Sequence, residues 1–233
     1  MIISFGQRSR WFLAEFVVII VGVLVALGID EWRDTLQDEE REQEYLEQLA
    51  ADLQVTTDMF VTAAELNAPW ERAARQLAEI FERGEPADIE TVRQILADAG
   101  TFDNPVPVLG TADALISTGD LRLIRDPKVR TAITRYVSRM RDYFLFPLYQ
   151  LEDQHRNIYL NIVLLAQQYG IAPASRQGPA EGLRNADING FLANAEAYVY
   201  VVRFAELKEM VRSIRNVMSD EAAALAALLP LGE

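Results

Sequence analysis

A chain of 233 residues has room for one apolar anchor and one extramembrane domain of ordinary size. Half of its residues are hydrophobic, which excludes wholesale disorder. The 22 basic against 35 acidic residues, net −13 with no Lys/Arg block, argue against a nucleic-acid partner. With no cysteine, disulfide scaffolds, thiolate metal sites and cysteine nucleophiles are excluded, and a single histidine, His155, excludes multi-histidine metal centres within one chain.

Residues 1–10 form a short basic tail carrying Arg8 and Arg10. The stretch that follows, WFLAEFVVIIVGVLVALGI at 11–29, holds one charge in 19 residues and spans roughly 28 Å as a helix, about the thickness of bilayer hydrocarbon. Trp11 and Trp32 flank it, and indoles favour the two headgroup regions, so residues 11–32 read as a transmembrane helix with interface anchors at both ends. The rival is a cleavable signal peptide, with a small-x-small site at Ala26 to Gly28. Glu15 within the apolar run and Trp32 beyond it favour an uncleaved signal anchor. The basic end is the short one, which places the N-terminus in the cytoplasm and the main domain outside.

Gly22 and Ala26 lie four apart, a small-xxx-small pair that lets two helices approach closely, and Gly28 extends the thin region. This face predicts self-association. Glu15, an ionisable residue one turn inside Trp11, is within reach of headgroups or of Arg8 and Arg10, and reads as a structural or oligomer contact. A ring of such glutamates in an oligomeric pore is the alternative.

Residues 33–66 form an acidic stalk helix free of Gly and Pro. Its first half is a solvated charged face. From Leu46 a stripe of Leu46, Leu49, Leu53, Phe60 and Ala63 covers under three heptads, which reads as a helix joining the domain core, with a coiled coil as the alternative. Pro69 marks a break or an N1 position, opening a bundle domain over 67–233. Helices follow up to Gly84, from the cap Asp88 to Gly100, from a Thr111 cap to Gly119, and from Asp126-Pro127 to about Gly170 with a bend near Pro147. A last helix runs over 188–229 with Phe191, Tyr198, Val202, Met210, Val211, Ile214 and Val217 inward. The fold class is therefore all-α: a transmembrane helix, a long stalk helix and an antiparallel bundle.

No residue pattern makes an active site, and the chain reads as a non-enzyme without cofactor or metal. His155, beside Glu152, Asp153 and Arg156, is expected to be a solvent-facing or satisfied helix histidine. Asp113, Asp120 and Asp126 lack the spacing of a calcium loop, and capping accounts for Asp126. Tyr143, Phe144, Phe146 and Tyr149 could line a ligand pocket, but core packing around the Pro147 bend is the simpler expectation.

Two stretches resemble a family of uncharacterised bacterial single-pass membrane proteins. Glu15, GVLVAL at 22–27 and Ile29-Asp30-Glu31-Trp32 look like its transmembrane pattern, and EYLEQLAADL at 44–53 is similar to its next segment. ALISTGDLRLIRDPKVRTAI at 114–133 resembles its Ser/Thr-Gly-Asp/Asn-Leu-x-Leu-Ile element. Gly28 stands where that family carries a polar residue. The resemblance implies a bacterial inner-membrane protein with its main domain periplasmic. The functional expectation is a membrane-anchored helical interaction or scaffold module whose partners are the lipid bilayer, a second copy of itself and a possible separate membrane or periplasmic protein. A ligand-sensing bundle acting through such a partner is the alternative.

Overall fold

The computed structural model describes residues 5–84, 87–174 and 186–230, with side chains from Ile19 onward except Tyr143. Among the described residues all regular secondary structure is helical, with no strand. Helix α1, Phe5–Arg83, is 79 residues long, about 118 Å at the usual rise. It stops at Gly84, whose φ of +59° is a left-handed conformation that glycine adopts at low cost.

From Glu42 onward α1 buries a stripe at positions 42, 46, 49, 53, 56, 60, 63 and 67, then 71, 74, 78 and 81. Steps of three and four alternate until two fours meet at Asn67 and Glu71, a four-residue insertion into the heptad that locally unwinds a packed helix. No break falls at residue 66, so the stalk is already part of the bundle from Glu42. Nor does Pro69 break or start a helix: it lies inside α1, its ring exposed. An internal proline costs about 3 kcal/mol. Burial of Ala63 and Asn67 before it and of Ala73, Ala74 and Leu77 after it holds the helix together.

Helix α2, Ile89–Ala99, begins at Asp88, whose carboxylate accepts from the Thr91 N–H at 3.0 Å. Gly100 ends it, and a Cβ there would fall 2.3 Å from the Tyr159 ring, so the glycine lets that ring lie on the turn while its hydroxyl donates to the Leu96 carbonyl at 2.9 Å. An irregular strap, 101–109, leads to α3, Gly110–Thr118. The expected Thr111 cap is absent. Instead Asp52 of α1 accepts from the Thr111 N–H at 3.0 Å, a cap supplied by another helix. Gly119, at φ +80°, turns the chain into a 3-10 turn, Asp120–Leu123.

Helix α4, Pro127–Ser138, has Asp126 as N-cap and Pro127 at N1. A π-helical segment, Arg139–Leu145, joins it to α5, Phe146–Gln168. The wider turns precede Pro147, which has no N–H to return to the ladder, so the expected bend is a π-segment. The last helix is two: α6, Ile188–Leu192, and α7, Ala195–Ala226, with Asn194 capping α7 by accepting from the Ala197 N–H at 2.9 Å.

Helix α7 runs antiparallel to α1 along most of the bundle. Its buried positions 197, 201, 204, 208, 211, 215, 218, 222 and 225 form an unbroken heptad, with Leu207 buried beside it. Of the residues expected inward, Phe191 and Val211 are buried, whereas Tyr198, Met210 and Val217 are exposed because the stripe runs one register away from them. Two separate apolar cores result. The first joins Leu46, Leu49, Leu53 and Phe60 to α3, α4, the π-segment and the C-terminal half of α7. The second joins Ala74, Leu77 and Phe81 to α2, the end of α5, α6 and the N-terminal half of α7.

Among the described side chains, nothing covers α1 from Ile19 to Trp32. Apolar side chains from Ile19 to Ile29 are 41–62 % exposed, and Trp32 is 64 % exposed. Among the described residues no helix is long and apolar enough to cross a membrane. The side chains of Trp11 and Glu15, and of the expected span up to residue 18, lie outside the described ones.

Candidate functional site

Of the residues singled out in the membrane segment, Gly22, Ala26 and Gly28 sit on the bare part of α1, and a Cβ on either glycine would meet nothing within 4 Å. The aromatics near Pro147 do not converge on a pocket or wholly join the core. Phe144 packs into the first core, but Phe146 and Tyr149 face outward. Asp126 caps α4, Asp113 pairs with Arg141, and Asp120 reaches α1. These three acids therefore serve three different contacts.

Asp120 belongs to a clasp. Its Oδ2 accepts from Tyr45 Oη at 2.8 Å and from Arg41 Nη2 at 3.0 Å. Hydrogen bonds and the Arg41 charge hold its carboxyl below the usual range, Tyr45 being the largest cause. Arg125, just beyond the 3-10 turn, completes the grip. Arg125 donates through its backbone N–H and Nε to Glu42, and through Nη1 to Glu39 at 2.8 Å. Gly119 aims this turn at α1, while Leu123 and Ile124 are buried beneath it. The sequence stretches 44–53 and 114–133, far apart in the chain, thus meet in one contact.

Between the two cores lies the principal site, a layer of buried charge. Arg215 is 2 % exposed, Lys208 3 %, His155 4 % and Glu71 8 %. Helix α7 places Lys208 and Arg215 two turns apart on its buried stripe, α1 contributes Asn67 and Glu71 at its heptad insertion, and α5 contributes His155. Arg215 pairs with Glu71. The strap is stitched into the same layer. Arg215 Nη1 and Asn67 Nδ2 both donate to the Asp103 carbonyl, at 3.2 and 2.8 Å, and Asn67 Oδ1 accepts from the Asp103 N–H at 3.3 Å. Lys208 donates to the Thr101 carbonyl, with its ammonium 5.5 Å from the ring centres of both Phe102 and Phe204. Further along, Thr56 accepts from the Val108 N–H at 3.0 Å. A strap without secondary structure thus has the backbone groups of Thr101, Asp103 and Val108 bonded by side chains of α1 and α7.

His155 is neither solvent-facing nor fully satisfied. Its ring lies 4.7 Å from Phe102 and 4.9 Å from Phe204, and Nε2 has no partner. Burial first, then the Lys208 charge, pushes its pKa down to about 3, so the imidazole is neutral at physiological pH. A groove of about 190 Å³ opens beside it, lined also by Gly100, Phe102, Glu152, Arg156 and Tyr159. Burial likewise pushes Lys208 down to about 7, Arg215 adding to the effect and Glu71 opposing it. Among the described residues no three His, Cys, Asp or Glu side chains gather as metal ligands.

Sequence reading missed Glu71, Lys208 and Arg215 because charged residues on a helix normally mark its wet face. The available signal was spacing. Treating 208 and 215 as stripe positions extends the heptad of Ala197, Val201 and Phe204 to Leu225 without a gap. No family model, curated protein or solved structure matches this chain.

Proposed function

We propose that the chain is a single-pass, membrane-anchored helical interaction module of the bacterial inner membrane, self-associating through its anchor and carrying its bundle on the periplasmic side. One observation carries this reading: over residues 19–29 apolar side chains point outward on every side of α1, and nothing in the fold covers them. A helix apolar all round needs an apolar medium on all sides. Together with the sequence run at 11–18 it has the length to cross a bilayer. Between Asp30 and Arg41 the helix turns polar, which suits a stalk that lifts the bundle clear of the headgroups.

Open space around Gly22 and Gly28 supports a second helix as the neighbour there. In-membrane cross-linking of the full chain tests the reading. Wild type is expected to give dimers or higher species from an alkaline-resistant membrane fraction, and Gly22→Leu to reduce them at least severalfold. Extraction of the wild type by alkali would remove the anchor reading; a monomer unaffected by Gly22→Leu would remove the association.

A further inference from the structure

The layer between the two cores holds more positive than negative charge. Arg215 is a permanent cation and Glu71 is its single carboxylate partner, while the Lys208 ammonium adds a second buried cation that directly contacts only a carbonyl and two aromatic faces. The choice of lysine is notable in this chain. Of its 22 basic residues only two, Lys128 and Lys208, are lysines, and the other 20 are arginines, which never lose their proton. The buried unmatched position thus carries a lysine, the basic residue type that can discharge, while the other lysine, Lys128, is exposed.

The surroundings bear on Lys208 from every side. From α1 come Asn67 and Glu71. From α7 comes Arg215, with Glu209 and Arg212 at the outer edge, where Glu209 also meets Arg75. Helix α5 presents His155, with Glu152 and Arg156 outward, and the strap presents the Thr101 carbonyl and the Phe102 ring. His155 stays neutral above about pH 3, which leaves Lys208 as the group that changes charge near neutrality.

We propose that this layer is a proton-operated latch: with Lys208 neutral the charges balance and the strap 101–109 is seated, and proton uptake by Lys208 loosens the strap and uncouples the two cores. The strap is suited to this role because side chains of the layer, rather than a backbone ladder, hold Thr101 and Asp103. The heptad insertion at Asn67 and Glu71 and the internal Pro69 put the weakest stretch of α1 at the same level. In the closed layer the Lys208 amine is buried without a carboxylate bonded to it, and this burial pushes it down to about 7 against the opposing Glu71 charge.

Hydrogen exchange on the full chain in lipid nanodiscs tests this, at pH 6.0 and 8.5 with intrinsic exchange rates divided out. In the wild type the opening equilibrium of amides 101–111 is expected to rise roughly thirtyfold from pH 8.5 to 6.0, the ratio for a lysine titrating at about 7 when closed and 10.5 when open. Lys208→Met is expected to remain closed at both values, and Lys208→Arg to remain loosened at both. An opening equilibrium unchanged by pH in the wild type would overturn the latch, as would a pH dependence that survives in either variant. Should neither variant fold, competitive acetylation of the wild type between pH 6 and 10 decides, with exposed Lys128 as reference. A midpoint near 7 for Lys208 upholds the proposal, and titration alongside Lys128 overturns it.

Discussion

Leu24 and Leu53 stand on the same helix, yet the first is 62 % exposed and the second fully buried. Around Leu24 every neighbour is apolar; around Leu53 polar residues intervene and only every third or fourth position is buried. The contrast shows what a stripe does that bulk greasiness does not. A stripe selects one direction, so α1 acquires α7 and the strap on that side and water on the other. An all-round apolar surface selects no direction and asks for a medium instead.

Substitutions along α1 measure that contrast by denaturant unfolding of the detergent-solubilised chain. Glu71→Ala leaves Arg215 buried without its counter-charge and is expected to cost about 3–5 kcal/mol, whereas replacing both partners by Leu and Met costs far less. Leu53→Ala, which opens a cavity in the first core, is expected to cost about 3 kcal/mol. Tyr45→Phe, losing one hydrogen bond to Asp120 in the clasp, is expected to cost about 1 kcal/mol. Leu24→Ala should change bundle stability by less than about 0.5 kcal/mol. An effect there as large as that of Leu53→Ala would mean that the bare segment folds back on the bundle, and the contrast would collapse.

Acid sharpens the same division. His155 is held down to about 3 when folded and returns to about 6.5 when unfolded, so the folded state binds fewer protons between these values. Stability is expected to fall as pH drops below 6.5, by up to tenfold in the unfolding constant per unit, levelling off below 3. His155→Phe should remove this slope, as read from unfolding midpoints between pH 7 and 4. The window lies below that of Lys208, whose depressed value makes stability rise with pH between about 7 and 10.5.

Much of the helical framework was legible in the sequence because it rests on local chemistry. Asp88, Asp126, Gly84 and Gly119 mark helix ends where capping or a left-handed turn is needed, and the stripe from Leu46 to Ala63 is buried as its spacing requires. Pro69 misled because the local penalty of a proline is smaller than the packing on both sides of it. Thr111 misled because its N–H finds Asp52, 59 residues away. For the charged layer, sequence shows residue type but not partner. Lys208 and Arg215 resemble surface residues until Glu71, Asn67 and the strap are brought against them, and His155 is likewise defined by two phenylalanines from other segments.

The unbroken course of α1 gives the molecule a lever arm. Asn67 lies 38 residues beyond Ile29, about 57 Å along a straight helix, so a 10° tilt of the bare segment sweeps the charged layer sideways by about 10 Å. Were the bare segment held as proposed, such leverage would make the bundle's position sensitive to the thickness and curvature of the sheet holding it, and to the crossing angle of a neighbour packed on Gly22.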